Sequence, residues 1–411
     1  MQKRKNISGH KELTKNDMLS EDTSLLLTTL SRGSGENLRE VFKYLSSLKD
    51  RIRIERVCQT FKVHANSNKV WANVKVITIK EAYGSYQINN ERIRVGRLAS
   101  AVHSVLSRCH HVEVIDLSAC NNAAVYSFVA ECILNTGASS FKKLEQLKFC
   151  GPMSSDISNC ITLVIDIFCA QLTTLNFFSV SSLEEHDSVR LWDCIGKCTK
   201  LKRIVYCASR YQENLHLSVS MRTALRNKPI EHLHLDANGS IKANDLIEII
   251  ACRSQQRSLK YFATTNECIT LIDFFHKQPA FNWMGLQHFA YKFHIRFIID
   301  NLFQPDPNWA IAMNLPRLLP LVSRLTLFGA FTSTNQTVDL LISYMSILNE
   351  NSKAQRSIIL YLCFTCVLRA AGWETVFDVL RSDYRCEIEY RTDCIARIHR
   401  REQGSGFIEL G

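Results

Sequence analysis

A short string of alternating apolar residues, of the form L-x-x-L-x-L with apolar substitutes, recurs along most of the chain. It begins at Val112 (VEVIDL), Leu144 (LEQLKF), Leu172 (LTTLNF), Leu201 (LKRIVY), Ile230 (IEHLHL), Leu259 (LKYFAT) and Leu286 (LQHFAY). The steps between these starts are 32, 28, 29, 29, 29 and 27 residues. Less regular copies start at Val322 (VSRLTL) and Ser357 (SIILYL), after steps of 36 and 35, and a last strand-like string covers 386–390. Alternation with period two predicts a short strand with one buried face. Between the strings lie stretches with helical periodicity, at 125–134, 161–168, Leu217–Leu225, Ala243–Ala251 and 338–348. One strand and one helix of this size cannot bury their apolar faces alone. Stacked on neighbours, they form an α/β solenoid with parallel strands inside, helices outside and a horseshoe outline. An ordinary α/β domain would not keep its steps so nearly equal.

Residues 33–74 do not follow the repeat. Leu38, Val41, Phe42 and Leu45 fall at i, i+3, i+4 and i+7, which predicts an amphipathic helix. Asp50 is placed to cap a second helix carrying Ile54, Val57, Cys58 and Phe61, and Ala65, Val70 and Trp71 close a third short segment. About 40 residues make a small core, so part of this module's apolar surface is expected to need a partner. The stretch 99–106 is expected to be a helix joining the module to the first repeat strand.

Composition narrows the class. A chain of 411 residues exceeds one ordinary compact core, and 46% hydrophobic with 22% charged residues is globular. The formal charge of +11 favours acidic partners, whether protein, phosphate or nucleic acid. It is spread along the chain except for Lys3-Arg4-Lys5, a solvated basic tail or a nuclear-import signal. The 16 cysteines sit mostly singly in apolar strings, such as Val57-Cys58, Phe149-Cys150, Phe168-Cys169 and Tyr206-Cys207, as packed free thiols do. No signal-peptide pattern and no apolar run near the ~20 residues of a membrane span is seen, so a soluble cytoplasmic or nuclear protein is expected. The sequons at Asn6, Asn238 and Asn335 are then chance matches.

The repeated strings, over roughly 111–395, resemble the leucine-rich-repeat family in its longer, helix-containing class. Cys120 stands after VEVIDLSA where that class often has Asn or Cys, whereas Val180, Ser209 and Asn238 occupy the place elsewhere. Residues 33–78 resemble an F-box. The match rests on Glu36, Leu38, Val41-Phe42, Tyr44-Leu45, Val57-Cys58, Phe61 and Val70-Trp71, with the family's ten-residue step from Phe61 to Trp71. Gly33-Ser34 stands where the family opens with Leu-Pro, Phe61 where it often has Trp, and Ser46-Ser47-Leu48 is one residue longer. The resemblance implies a substrate-recognition adaptor of a Skp–cullin–F-box ubiquitin ligase. Glu36, Leu38, Val41, Phe42, Leu45, Ile52, Ile54, Val57, Phe61 and Trp71 would dock a Skp-type adaptor and, through it, a cullin–RING ligase. Catalysis would belong to the partner subunits. The expected order is a disordered basic tail (1–32), F-box (33–78), linker and cap helix (79–110), repeats (111–395) and a C-terminal tail (396–411). A repeat scaffold or inhibitor with no ubiquitin role is the alternative, favoured by Gly33-Ser34.

Residues between the apolar strand positions would face the concave side. One row is Val114, Gln146, Thr174, Arg203, His232, Tyr261, His288 and Arg324. The next is Asp116, Lys148, Asn176, Val205, His234, Ala263, Ala290 and Thr326, and a third is Ser118, Cys150, Phe178, Cys207, Asp236, Thr265, Lys292 and Phe328. Arg203, His232, His234, Asp236, Tyr261, His288, Lys292 and Arg324 are therefore the candidate cargo-binding residues. Their donors suit an acidic or phosphorylated protein segment. His232, His234 and Asp236 share one strand face, but no further ligand spacing accompanies them, so no metal and no cofactor is expected. Cys363-Phe364-Thr365-Cys366 is a lone C-x-x-C, and Cys194 and Cys198 lie one helical turn apart; packed thiols account for both. No phosphate-binding loop, nucleophile elbow or H-E-x-x-H occurs, which gives an enzyme no support. The basic residues lack the aromatic interleaving of RNA-binding modules, so neither nucleic acid nor membrane is an expected partner.

Overall fold

The structure is a computed structural model that describes residues 36–45, 47–57, 59–151, 154–180, 184–208, 217–226, 228–236, 243–251, 258–265, 286–292 and 311, and the strands within 324–400. It begins with four short helices: α1 (Glu36–Lys43), α2 (Leu48–Ile54), α3 (Gln59–Ala65) and α4 (Asn68–Trp71). On α1 the four-residue spacing of Leu38 and Phe42 buries both, while Val41 turns outward and is 50% exposed. The single second helix expected around 50–61 is two. Its start is capped by Ser47, not Asp50: the Ser47 hydroxyl accepts from the Asp50 amide at 3.3 Å. It ends at Ile54 because the Arg56 and Val57 amides turn back to the Arg53 and Ile54 carbonyls, tightening the last turn.

Leu38, Phe42, Leu48, Ala65, Val70 and Trp71 form the core of this module, and Phe42 meets Phe61 edge to face at 5.2 Å. The core is continuous with that of the sheet that follows. Arg108 bridges the two parts, placing two 2.8 Å hydrogen bonds on the Glu55 carboxylate from its Nε and Nη2. A paired fork of this kind holds orientation as well as distance.

Among the described residues the sheet has 14 strands, in the order Tyr384–Tyr390, Cys394–Arg400, Ser357–Leu362, Arg324–Gly329, His288–Lys292, Tyr261–Thr265, His232–Asp236, Arg203–Ala208, Thr174–Val180, Gln146–Cys150, Val114–Ala119, Val76–Ala82, Ser85–Ile88 and Glu91–Ile93. Its middle runs in chain order with every strand parallel to the next: β4 (Val114–Ala119), β5 (Gln146–Cys150), β6 (Thr174–Val180), β7 (Arg203–Ala208), β8 (His232–Asp236), β9 (Tyr261–Thr265), β10 (His288–Lys292), β11 (Arg324–Gly329) and β12 (Ser357–Leu362). Helices α5 (Leu98–Leu106), α6 (Ala123–Thr136), α7 (Ser155–Phe168), α8 (Glu185–Lys197), α9 (Leu217–Leu225) and α10 (Ala243–Ala251) each pack on the next. The protein is thus α/β, with a mostly parallel sheet and its helices between successive strands.

Alternate strand residues face the helices and are buried, as Leu147 and Phe149, Leu175 and Phe177, and Ile204 and Tyr206 are. Aromatic residues at one register position touch from strand to strand: Phe149 to Phe177 at 5.6 Å and Phe177 to Tyr206 at 6.1 Å, with Trp192 of α8 closing on Tyr206 at 5.7 Å. At each strand entrance one carbonyl takes two amides from the next unit. The Lys202 carbonyl accepts from Glu231 at 2.8 Å and His232 at 3.0 Å, and the Glu231 carbonyl from Lys260 and Tyr261. The near-constant step in sequence is the length needed to return to this junction.

Both ends of the sheet depart from the expected organisation. Residues 79–110 are not only a linker and helix. β1 (Val76–Ala82), β2 (Ser85–Ile88) and β3 (Glu91–Ile93) form an antiparallel meander, and β1 also pairs in parallel with β4. Ile77 and Ile79 supply its buried alternation, and Gly84, at φ 66°, allows the tight turn. At the other end the string 386–390 does not continue the parallel stack. It belongs to β13 (Tyr384–Tyr390), antiparallel to β14 (Cys394–Arg400), and β14 itself lies antiparallel on β12. Residues 394–400, expected to end the repeats and open a tail, are therefore a strand. A return hairpin after a 3-residue connection cannot reach a parallel register, which needs a crossover of a dozen or more residues. No helix among the described residues is long and apolar enough to cross a membrane.

The expected helix at 338–348, the pair Cys363 and Cys366, and the segments 1–32 and 401–411 lie outside the described residues.

Candidate functional site

The described helices cover one face of the sheet; on the opposite face the register aligns side chains into rows. Thr174, Arg203, His232, Tyr261, His288 and Arg324 are successive partners across β6 to β11. The next row runs Asp116, Lys148, Asn176, Val205, His234, Ala263, Ala290 and Thr326. Both match the rows expected from the repeat spacing. The third row is interrupted. Between β6 and β7 the register passes from Phe177↔Tyr206 to Val180↔Ala208, a bulge at which Ser179 takes φ 52°. Cys207 thus lies opposite the bulge rather than opposite Phe178, while on its other side it pairs with Asp236.

The middle of this face is aromatic and basic. The His232 ring stacks on Tyr261 at 5.8 Å, and Tyr261 meets His288 edge to face at 4.7 Å. Arg203, exposed, flanks His232 on β7. Burial, and then the neighbouring guanidinium of Arg203, lower the His232 pKa, so the ring is neutral at pH 7 and acts as a hydrogen-bonding aromatic. Below the row, Glu231 bridges Lys202 at 2.8 Å and Lys260 at 2.6 Å. These two lysines hold its pKa down at about 2. Toward β4 the face is neutralised: Lys148 reaches Asp116 at 3.0 Å. Burial alone would raise the Asp116 pKa, but bonds from Ser118 and Lys148 outweigh it and the net shift is downward.

No protein-family model matches this chain, and no curated protein matches it in sequence.

Of the candidate cargo residues, Arg203, His232, His234, Asp236, Tyr261 and His288 come together on β7 to β10. Lys292 and Arg324 continue the rows by register. The candidate adaptor-binding residues divide. Leu38, Phe42 and Trp71 are buried in the helical module's own core. Leu45, Ile52, Ile54 and Phe61 are partly buried against it, and Glu36, Val41 and Val57 are exposed. The division follows from helix geometry, since two faces of α1 carry apolar residues and only one can point inward. Tyr44 (85%), Val57 (56%) and Val63 (59%) add exposed apolar surface to the module.

Two features escaped the sequence reading. The Lys202–Glu231–Lys260 clamp uses residues one position before each strand, where the pattern shows only polar positions. Cys207 was grouped with packed thiols although the spacing also set it in the third row; its neighbour Tyr206 is the core residue, and alternation turns Cys207 to the face opposite the described helices. There the ligand atoms of Cys207, His234 and Asp236 all lie within 4.8 Å of one another. A second trio, Glu184, His186 and Asp187, sits at the start of α8, where acidic groups complement the helix dipole. A polar cleft of about 520 Å³ beside Asn66, His103, Ser104, Ser107, Arg108 and His110 marks the junction with the helical module, but Arg108 is already committed to Glu55.

Proposed function

We propose that this chain is the substrate-recognition adaptor of a Skp–cullin–F-box ubiquitin ligase acting in the cytoplasm or nucleus. In this reading the helical module at 36–71 is an F-box, and the parallel strand-helix stack is a leucine-rich-repeat horseshoe. The observation that carries it is the register of β7 to β10, which lines Arg203, His232, Tyr261 and His288 across the face opposite the described helices. An exposed guanidinium beside stacked aromatic rings suits a carboxylate- or phosphate-bearing protein segment. The chain performs no chemistry itself; it holds cargo for partner subunits.

Exposed Val41, Tyr44 and Val57 support docking of a Skp-type adaptor on the module's outer surface. Removing such a side chain from water is worth about 1.5–3 kcal/mol when fully buried, so a few anchors suffice for a stable complex. Leu38, Phe42 and Trp71 are assigned to the module's fold instead, a smaller docking set than the resemblance implied. That same burial favours the second reading, a repeat scaffold or inhibitor with no ligase role, in which 36–71 is only a cap. Co-expression with a Skp-type adaptor and purification through the adaptor distinguishes the two: the first requires a stable complex, the second none.

A further inference from the structure

We propose that Cys207, His234 and Asp236 bind one zinc ion on the face of the sheet opposite the described helices. Cys207 on β7 and Asp236 on β8 are register partners, and His234, two residues before Asp236, points to the same side. Their ligand atoms lie within 4.8 Å of one another. A tetrahedral zinc ion with ordinary bond lengths holds such donors about 3.3–3.5 Å apart. Rotamer adjustment of about an ångström in side chains that are only partly buried closes that gap.

The donor set selects the metal class. A thiolate, an imidazole and a carboxylate together suit a borderline cation and exclude magnesium and calcium, which take oxygen ligands. The surroundings leave space for it. His234 stands between Val205 and Ala263, both small and buried, so neither neighbouring strand raises a bulky side chain beside the imidazole. The bulge at Ser179 removes β6 from the register opposite Cys207, the kind of irregularity that re-aims a side chain at a site. Three protein ligands leave the fourth position of the tetrahedron to water or to a donor from a bound partner. Cys198 and Cys120 are buried, and burial pushes their pKa up to about 12 and about 11.

The test uses the full chain, freed of any affinity tag, with cobalt(II) as the spectroscopic probe and zinc as competitor. One equivalent of cobalt should produce a thiolate-to-metal charge-transfer band and tetrahedral d–d bands, both abolished by one equivalent of zinc. Cys207→Ser should lose the charge-transfer band, His234→Ala should weaken binding at least tenfold, and Cys150→Ser should keep wild-type spectra. Circular dichroism checks that each variant is folded. Absence of the charge-transfer band in the wild type overturns the proposal. So does its survival in Cys207→Ser, which would put the metal on another thiol, or unchanged affinity in His234→Ala, which would remove that imidazole from the site.

Discussion

The Arg51 guanidinium lies over the Trp71 ring, 5.7 Å from its centroid, and ties three turns of the helical module together. It donates to the carbonyls of Leu45 at 2.8 Å, Val70 at 2.9 Å and Lys43 at 3.2 Å, while the Trp71 indole donates to Ala65 at 2.7 Å. A buried cation bound to main-chain carbonyls is a structural clamp, and Arg51 has no carboxylate partner among the described residues. Arg51→Met keeps much of the volume but leaves those carbonyls unpaired. It should destabilise the module by about 3 kcal/mol, measured by urea denaturation. A loss under about 0.5 kcal/mol, the level of an ordinary surface substitution, would show that the clamp carries no weight.

The turn after β5 should tolerate no side chain. Gly151 has φ 93°, and a Cβ there would overlap the Asn121 side chain and come within 3.2 Å of its Cα. Gly151→Ala is therefore expected to cost about 1–3 kcal/mol. Gly196, inside α8, is the contrast: its added Cβ would meet Ala224 at an ordinary 3.8 Å. Gly196→Ala should be neutral or stabilising by about 0.4–1 kcal/mol. Equal effects at the two positions would contradict the turn geometry.

The Lys202–Glu231–Lys260 clamp predicts a pH signature. The Glu231 pKa falls from 4.5 to about 2 on folding, first through its bonds to Lys202 and Lys260. Above the unfolded value the stabilisation is fully present; it is lost as the pH drops from about 4.5 toward 2. Glu231→Gln should therefore lower the melting temperature at pH 7 and converge on the wild type in acid. The lysines are exposed, so the difference should be small and shrink in high salt. A gap that is constant with pH would contradict the assignment.

The parallel core of the fold was legible in the sequence because one physical constraint, the return to the same strand junction, repeats every unit. Rows such as Arg203, His232, Tyr261 and His288 could be written from spacing alone. The ends were not legible. Ile77 and Ile79 alternate as a strand should, but the string follows no earlier copy and its partners, β2 and β4, lie on opposite sides of it. The last string, 386–390, was placed by period when its short connection to β14 dictates an antiparallel pair. Which face of α1 points inward was also open in the pattern, and Phe42 rather than Val41 took the core. The Cys207 trio was only half legible: spacing set Cys207 and Asp236, 29 residues apart, side by side in the third row, but Cys207 was taken for a packed thiol and was not joined to His234.

In the proposed function the helical module docks a ligase adaptor while the sheet holds cargo. The most direct measurement of this is co-purification of the full chain with a Skp-type adaptor, wild type against Val41→Asp/Val57→Asp. Both valines are exposed, so the double variant should fold normally by circular dichroism. A stable one-to-one complex is expected for the wild type, and at least a hundredfold weaker binding for the variant. A folded wild type that binds no adaptor, or a variant that binds as well as the wild type, would contradict it.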